Sequence, residues 1–413
     1  MRWAIVLLAC ATPAHADPLD DLGFGASATA MANSRMATAT GAEAAHTNPA
    51  GVANAARPEL LLGWQFANER LELDDHDAGV RNAHGTSIGF AIPVDIANLH
   101  LATGVALYLP GKFLSRLEQK PVGEPQFVRF ESAAQRVVVE PVAALSLGRV
   151  AIGAGASLIA DARSKELAVD VGAVGDETQS VASLDVGLPV RAAPFVGVWY
   201  RPARAVELAA TFRGELALDV ALDLRTNARV PGAVTGDAIV SLRSVSYFTP
   251  MRAVAAAAVH ATDDLVLTAD IAWERWSALG SGVPDVRVLI ALDLAPPLAS
   301  TMQPPASFKD IVTPRVGAEW KTGALRLRAG AAYLPSPVPP QTGITSFADG
   351  ARTLATLGAG WRFPPGRVIM QPIDLDLALG WQHLKHEVVQ KDPGAFSSGG
   401  DILQASLSST VRF

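Results

Sequence analysis

Thiols are nearly absent: the chain of 413 residues holds one cysteine, Cys10. A disulfide framework is therefore excluded, and so are metal centres built on cysteine. Long apolar runs are missing too. Beyond the N-terminus no stretch approaches the roughly eighteen residues that a membrane helix requires, and "VAAAAV" (Val254 to Val259) is far too short. Aromatics are sparse at 6%, with four tyrosines, and charged residues reach only 18%. The net charge of −6 argues against nucleic acid as a partner.

What is present is apolar. Hydrophobic residues make up 49% of the chain and the mean hydropathy is positive. A chain this apolar, without spanning helices, must hide its surface another way, and a closed β-barrel is the helix-free solution in a bilayer. The N-terminus supports export. Residues 1–16 read as a signal peptide, with Arg2 as its charge, Trp3 to Ala11 as its apolar run and Ala14-His15-Ala16 as its cleavage site. A rival reading takes Leu7 to Cys10, "LLAC", as a lipoprotein box that acylates Cys10. Cleavage after Ala16 removes Arg2 and Cys10 and moves the net charge from −6 to −7.

A period of two runs through the rest. In "IDLDLALGW", Ile373, Leu375, Leu377, Leu379 and Trp381 share one face, opposite Asp374, Asp376, Ala378 and Gly380. "LVLTADIAWE" (Leu265 to Glu274) and "LRLRAGAAY" (Leu325 to Tyr333) alternate likewise. Such alternation predicts strands with one apolar and one polar face; in a barrel the apolar face meets lipid. Segments of this kind fall at 59–73, 84–94, 99–109, 135–147, 150–170, 181–200, 204–224, 236–260, 264–276, 284–294, 310–321, 323–334, 351–363, 372–389 and 401–413. Single-chain bacterial barrels use even strand numbers. The expected count is therefore about 14, with the Pro-flanked 284–294 as the surplus segment. "LGRV" (Leu147 to Val150) and "KTGA" (Lys321 to Ala324) read as tight turns, whereas 110–134 and 335–350 are long and Pro-rich. The last segment, "LQASLSSTVRF", alternates to a terminal Phe413, which resembles the assembly signal of outer-membrane barrels.

Several motifs fail in context. "GTSIG" (Gly85 to Gly89) matches a nucleophile elbow but lies in an alternating strand with no helix after it. "GFGASA" (Gly23 to Ala28) has no strand before it and no βαβ unit after it. "DDHDAG" (Asp74 to Gly79) lacks the terminal Glu of a calcium loop and reads as solvated acids. His46 reads as a hydrogen-bonding filler. No catalytic constellation, metal site or cofactor site emerges, so the chain is not read as an enzyme.

The sequence resembles the FadL-type outer-membrane transporters of long-chain fatty acids and other hydrophobic compounds, over essentially the whole mature chain. "GFGASATAMANSRMATATGAEAAHTNPAGVA" (Gly23 to Ala53) looks like that family's N-terminal hatch, whose Asn-Pro-Ala falls on Asn48, Pro49 and Ala50. "GVALYLP" (Gly104 to Pro110), "VVVEPVAALSLGRVAIGAGASL" (Val137 to Leu158) and "IAWERWSAL" (Ile271 to Leu279), with its Trp-x-x-Trp-Ser, also match. The most specific blocks are Phe308 to Gly343 and Phe347 to Phe363. The loop 110–134 is short for the family's substrate-capturing region.

The resemblance implies three parts: the signal at 1–16, a hatch at 17–57 and a transmembrane antiparallel β-barrel at 58–413. It implies passive uptake, from an apolar groove among the outer loops to a pocket above the hatch, then sideways through a gap in the barrel wall. The lumen of a barrel this wide needs a plug. Pro49 would fix a rigid corner and Asn48 would cap it. If the ligand is a fatty acid, its carboxylate needs a cation or donors in the pocket. Arg35 in the hatch and Lys112, Arg116, Lys120 and Arg129 in the long loop are the candidates, with Phe113, Leu117, Phe127 and Phe130 interleaved for the chain. Each of these cations has a competing reading as a solvated or lipopolysaccharide-facing charge. The partners implied are a hydrophobic small molecule, outer-membrane lipid, lipopolysaccharide and the barrel assembly machinery, around a monomer. A barrel that binds or assembles secreted proteins, a general porin and an outer-membrane hydrolase are the alternatives.

Overall fold

The computed structural model describes residues 10–11, 19, 22–96, 99–111, 120–121, 124–127, 129–130, 136–160, 163–169, 182–187, 190–230, 234–280, 285–292, 295–301, 307–343, 345–366, 370–391 and 394–413. The signal assigned to 1–16 lies outside these residues apart from the backbone of 10–11. Lys112, Phe113, Arg116 and Leu117 also lie outside them, and of Lys120 only the backbone is described.

The alternating segments pair in chain order into a closed antiparallel barrel of fourteen strands. They are β1 (Glu59–Leu73), β2 (Ala83–Ile96), β3 (Leu99–Pro110), β4 (Val138–Leu147), β5 (Val150–Ala160), β6 (Val190–Ala203) and β7 (Val206–Arg213). The second half is β8 (Arg252–His260), β9 (Leu265–Glu274), β10 (Ile311–Thr322), β11 (Leu325–Leu334), β12 (Arg352–Phe363), β13 (Ile373–Gln390) and β14 (Ala395–Arg412). β14 closes on β1 from Glu59↔Arg412 to Leu73↔Ser398. "GTSIG" lies within β2.

Burial runs inside out, as a lipid-facing barrel requires. On β13, Leu375, Leu377, Leu379 and Trp381 are exposed while Asp374, Asp376 and Ala378 are buried. The few outward aromatics gather near the strand ends. Phe212, Trp273 and Tyr333 lie toward the long-loop end, and Tyr200, Trp320 and Trp361 toward the other. No helix among the described residues is long and apolar enough to cross a membrane.

The two ends differ. β4–β5 and β10–β11 are joined by two-residue turns in which Gly148 (φ 72°) and Gly323 (φ 60°) take the left-handed conformation open to glycine. At the opposite end the connections are long, and here the expected boundaries need correcting. The segments 204–224 and 236–260 each hold two strands: β7 and β8 in the barrel, and Leu216–Val230 and Val234–Thr249 outside it. The latter pair with Asp285–Leu292 and Ala295–Thr301 in a separate four-stranded sheet. The surplus segment 284–294 belongs to that sheet. The segments 150–170 and 181–200 likewise extend past β5 and before β6 into a hairpin, Arg163–Val169 with Ala182–Gly187. A sheet beyond the bilayer keeps the same period of two, so alternation continues without a break.

The last strand is pinned at the short-turn end, where the Phe413 amide donates to the Pro58 carbonyl (2.9 Å) and the side chain stays exposed. Deleting Phe413 is expected to lower the heat-modifiable, folded fraction recovered in outer membranes. An unchanged fraction would mean that the terminal aromatic plays no part in assembly.

Candidate functional site

Small residues let the N-terminal segment fill the space within the barrel. It forms two short helices, α1 (Ala26–Ala30) and α2 (Gly41–Thr47), then a 3₁₀ helix at Pro49–Asn54, and nearly every residue from 22 to 53 is buried. Its bonds reach strands around the circumference: the Ala26 amide to Ser408 Oγ on β14, the Ala32 amide to Thr356 Oγ1 on β12, Ser34 Oγ to Thr268 Oγ1 on β9. Trp199 Nε1 on β6 donates to the Ala37 carbonyl (3.0 Å).

The Asn48-Pro49-Ala50 corner is the most tightly fitted part. Asn48 Oδ1 accepts from the Ala50 amide (3.1 Å), which caps the 3₁₀ helix, and Pro49 occupies its first turn. Asn48 Nδ2 donates to the Met36 carbonyl (3.1 Å) and the Val198 carbonyl (3.4 Å). The wall opposite is made of two glycines paired across β5 and β6, Gly153 and Gly197. A Cβ on Gly153 would collide with the backbone of Pro49 and Ala50, and one on Gly197 with Asn48 Oδ1. Backbone cannot swing aside as a side-chain tip can. Gly153→Val is therefore expected to push the corner off the wall and to raise outer-membrane permeability to vancomycin, whereas Ile152→Val, at the neighbouring lipid-facing position of β5, leaves permeability unchanged. Equal permeability of Gly153→Val and the parent would show that the corner yields without opening a path.

Beside that corner lies a buried ionic knot. His46 Nδ1 is 2.6 Å from Glu140 Oε2 on β4, and Ser157 Oγ on β5 donates to Glu140 Oε1. Arg213 on β7 donates from Nη1 to Glu140 Oε1 (2.5 Å) and from Nη2 to the His46 carbonyl (2.8 Å). His46 is thus a hydrogen-bonding residue that joins α2 to the wall.

The two mouths of the lumen are chemically opposite. At the short-turn end a cavity of about 510 Å³ is lined by Arg35, Arg201, Arg326, Arg328 and Arg362 facing Glu59, Glu319, Asp374 and Asp376, among other polar groups. Arg35 is one of its paired cations, with Nε 2.7 Å from Glu43 Oε1 and Nη1 3.3 Å from Glu319 Oε2. Toward the long-loop end the inward faces turn apolar: Ala67 and Leu71 on β1, Leu384 on β13, Phe396 and Ile402 on β14.

Phe127 packs into that apolar ring together with Leu22 of the N-terminal segment. Its short strand, Gln126–Phe127, pairs in parallel with Phe347–Ala348. Phe127 and Phe130 meet edge to face with centroids 6.4 Å apart. The Arg129 guanidinium stands 5.2 Å from the Trp276 ring centre and the Arg352 guanidinium 4.8 Å from that of Phe130. Trp276 in turn packs on Phe248, and Phe308 on Phe347. The layer thus combines aromatic rings with cations that are already engaged. Arg129 Nη1 lies 3.5 Å from Asp349 Oδ2, with both side chains almost fully buried, and Arg352 Nη1 donates to Gln382 Oε1 (2.9 Å).

Of the ligand residues expected from sequence, Phe127, Arg129 and Phe130 come together here. Arg35 does not; it stands among the ion pairs of the other mouth. Of the partners that complete the layer, Trp276 belongs to the Trp-x-x-Trp-Ser motif, whereas Phe347, Asp349 and Arg352 lay in the family-like block Phe347 to Phe363 without being singled out. Above the layer a second cavity of about 710 Å³ is lined by Ile311, Val338, Phe347, Ala348 and Val389, with Lys309, Asp310 and Glu387 among its polar members. That volume suits a small-molecule ligand.

The sequence matches the family described as "Outer membrane protein transport protein (OMPP1/FadL/TodX)" over residues 5–411. Among solved structures, a Pseudomonas aeruginosa FadL homologue superposes with a TM-score of 0.58 at 15% identity, covering 98% of this chain and 100% of that one. The CymD monoaromatic hydrocarbon channel gives 0.54 at 15% identity, covering 95% and 98%. The Pseudomonas putida toluene transporter TodX gives 0.55 at 14% identity, covering 94% and 98%. At these identities the superpositions speak for the fold. No curated protein sequence matches the chain.

Proposed function

The chain belongs to the outer membrane protein transport family of FadL and TodX, and from that premise we propose that it takes up uncharged hydrophobic small molecules passively, as a monomer. Residues 17–57 act as the hatch. Lipid and lipopolysaccharide surround the belt, and the barrel assembly machinery inserts it.

The observation that carries the substrate class is the aromatic layer above the N-terminal segment. Phe347 and Ala348 of this layer line the 710 Å³ cavity together with Ile311, Val338 and Val389 and offer an apolar ligand contact. Phe127 and Trp276 are buried in the protein beside them, and burial of apolar surface is favourable by about 25 cal/mol per Å². A carboxylate gains less there. The charge of Arg129 is already answered by Asp349, and a second buried anion would leave one of the two under-compensated at a cost of several kcal/mol. This favours hydrocarbons, aromatic or aliphatic, over fatty acids. It also fits the toluene transporter TodX and the monoaromatic hydrocarbon channel CymD, which share the fold.

The test is uptake by proteoliposomes of radiolabelled naphthalene against radiolabelled oleate at neutral pH. Naphthalene is expected to cross faster than in protein-free vesicles, and oleate is not. Equal acceleration of both would overturn the preference for neutral ligands; acceleration of neither would overturn hydrophobic transport.

A further inference from the structure

The charges at the short-turn mouth are not matched one to one. Alternation turns Arg326 and Arg328 of β11, Arg362 of β12, Asp374 and Asp376 of β13 and Arg412 of β14 to one inner face. Asp374 is answered by three guanidiniums. Arg362 donates from Nε to Oδ1 (2.7 Å) and from Nη2 to Oδ2 (2.9 Å). Arg412 Nη1 donates to Oδ2 (2.6 Å), and so does Arg326 Nη1 (3.3 Å). Arg412 is shared with Glu59, Nε to Oε1 at 2.7 Å. Three guanidiniums thus stand on two carboxylates, a surplus of one positive charge. The β11 arginines reach β13 across β12 because position 360 is glycine. A Cβ there would collide with Asp376 Oδ1 and press on Arg328 Nη1.

Among the described residues the rest of this mouth balances. Arg35, Lys321 and Arg328 meet Glu43, Glu319 and Asp376, and Arg201 meets Glu207 beside His260. The surplus is therefore local to Arg326, Arg362 and Arg412. All three line the 510 Å³ cavity, and their side chains are 21%, 45% and 25% exposed. A carboxylate offers about four acceptor positions, and Asp374 already takes four N–H bonds. The further N–H groups of these guanidiniums, each a planar fork of five donors, have no place left on it. The short turns of an outer-membrane barrel face the periplasm, so the cavity opens to that side.

We propose that Arg326, Arg362 and Arg412 form a binding site for one small soluble oxyanion of the phosphate type, entering from the periplasm. The site stands apart from the hydrophobic-transport reading, because the aromatic layer lies toward the other mouth and the N-terminal segment lies between. Stoichiometry separates the two mouths. Arg129 meets Asp349 one to one, so a further anion there is uncompensated, whereas here it meets the charge that Asp374 and Glu59 leave over. An isolated exposed ion pair is worth little. Three guanidiniums already held together by Asp374 are pre-organised, so the anion has few side chains to order. Each can also meet a different oxygen of a phosphate, whereas a carboxylate has only two.

The experiment is equilibrium dialysis of radiolabelled inorganic phosphate against the full-length protein in a neutral detergent, with ionic strength held constant by sodium chloride. The parent is expected to bind phosphate saturably, one per chain. Arg362→Gln and Arg326→Gln are each expected to weaken binding about tenfold, the loss of a charge-assisted hydrogen bond. Asp374→Asn removes the competing carboxylate and is expected to tighten binding, a sign that general loss of structure does not produce. Heat modification selects the variants that are folded. No saturable binding by the folded parent would overturn the site. Binding as tight in folded Arg362→Gln and Arg326→Gln as in the parent would do the same, and so would weaker binding in folded Asp374→Asn. Each of these results leaves hydrophobic transport standing.

Discussion

Removing residues 17–50 is expected to raise single-channel conductance in planar bilayers from near the closed baseline to that of an open pore, an increase of at least about tenfold given the size of the lumen. Fourteen strands spaced ~4.8 Å apart and tilted about 40° close into a cylinder of roughly 14 Å backbone radius. Inward side chains alone do not fill a cylinder that wide. The N-terminal segment, with small residues buried against the walls and bonds to β14, β12, β9 and β6, is the part of the chain proposed to do so. Equal conductance of the intact and truncated proteins would show either that water passes beside the segment or that the lumen is closed by something else.

The second large effect is expected at the ionic knot. Arg213→Met leaves Glu140, which is fully buried, without its guanidinium, and leaves the His46 carbonyl without its donor. Uncovering one charge of a buried pair costs about 3–5 kcal/mol, so the single variant should unfold at markedly lower urea concentration and also show raised conductance, because α2 loses its tie to β7. Replacing both partners, Arg213→Met with Glu140→Gln, should recover most of the stability, since the buried charge is then gone. Additive losses in the double variant would mean that Arg213 and Glu140 act separately and that the knot is not one unit.

These two sites show where sequence reading succeeds and where it stops. The barrel was legible because lipid enforces strict alternation: Leu375, Leu377 and Leu379 have no other partner than the bilayer, and the sign of their burial follows. Strand ends were less legible. Leu216–Val230 alternates as β7 does, and nothing in a period of two distinguishes a lipid-facing face from the face of an outer sheet. The Asn48-Pro49-Ala50 corner could be recognised by its resemblance to a family motif, but its seat could not. Gly153 and Gly197 are ordinary small residues until register places them side by side under it. The knot joins His46 to residues 94 and 167 positions away, a distance that local pattern does not bridge. Arg129 illustrates the same limit in the candidate site. Sequence offered it as a cation awaiting a ligand carboxylate, and the fold supplies Asp349, which lies in another loop.

A closed barrel with an apolar inner layer is expected to pass hydrophobic molecules and to hold back hydrophilic ones. Parallel flux measurements on one proteoliposome preparation test it most directly, with naphthalene transfer and glucose permeation compared in the same vesicles. Accelerated naphthalene transfer with glucose permeation no faster than in protein-free vesicles is the predicted result. Glucose permeation accelerated as strongly as naphthalene transfer would contradict it and identify a general pore.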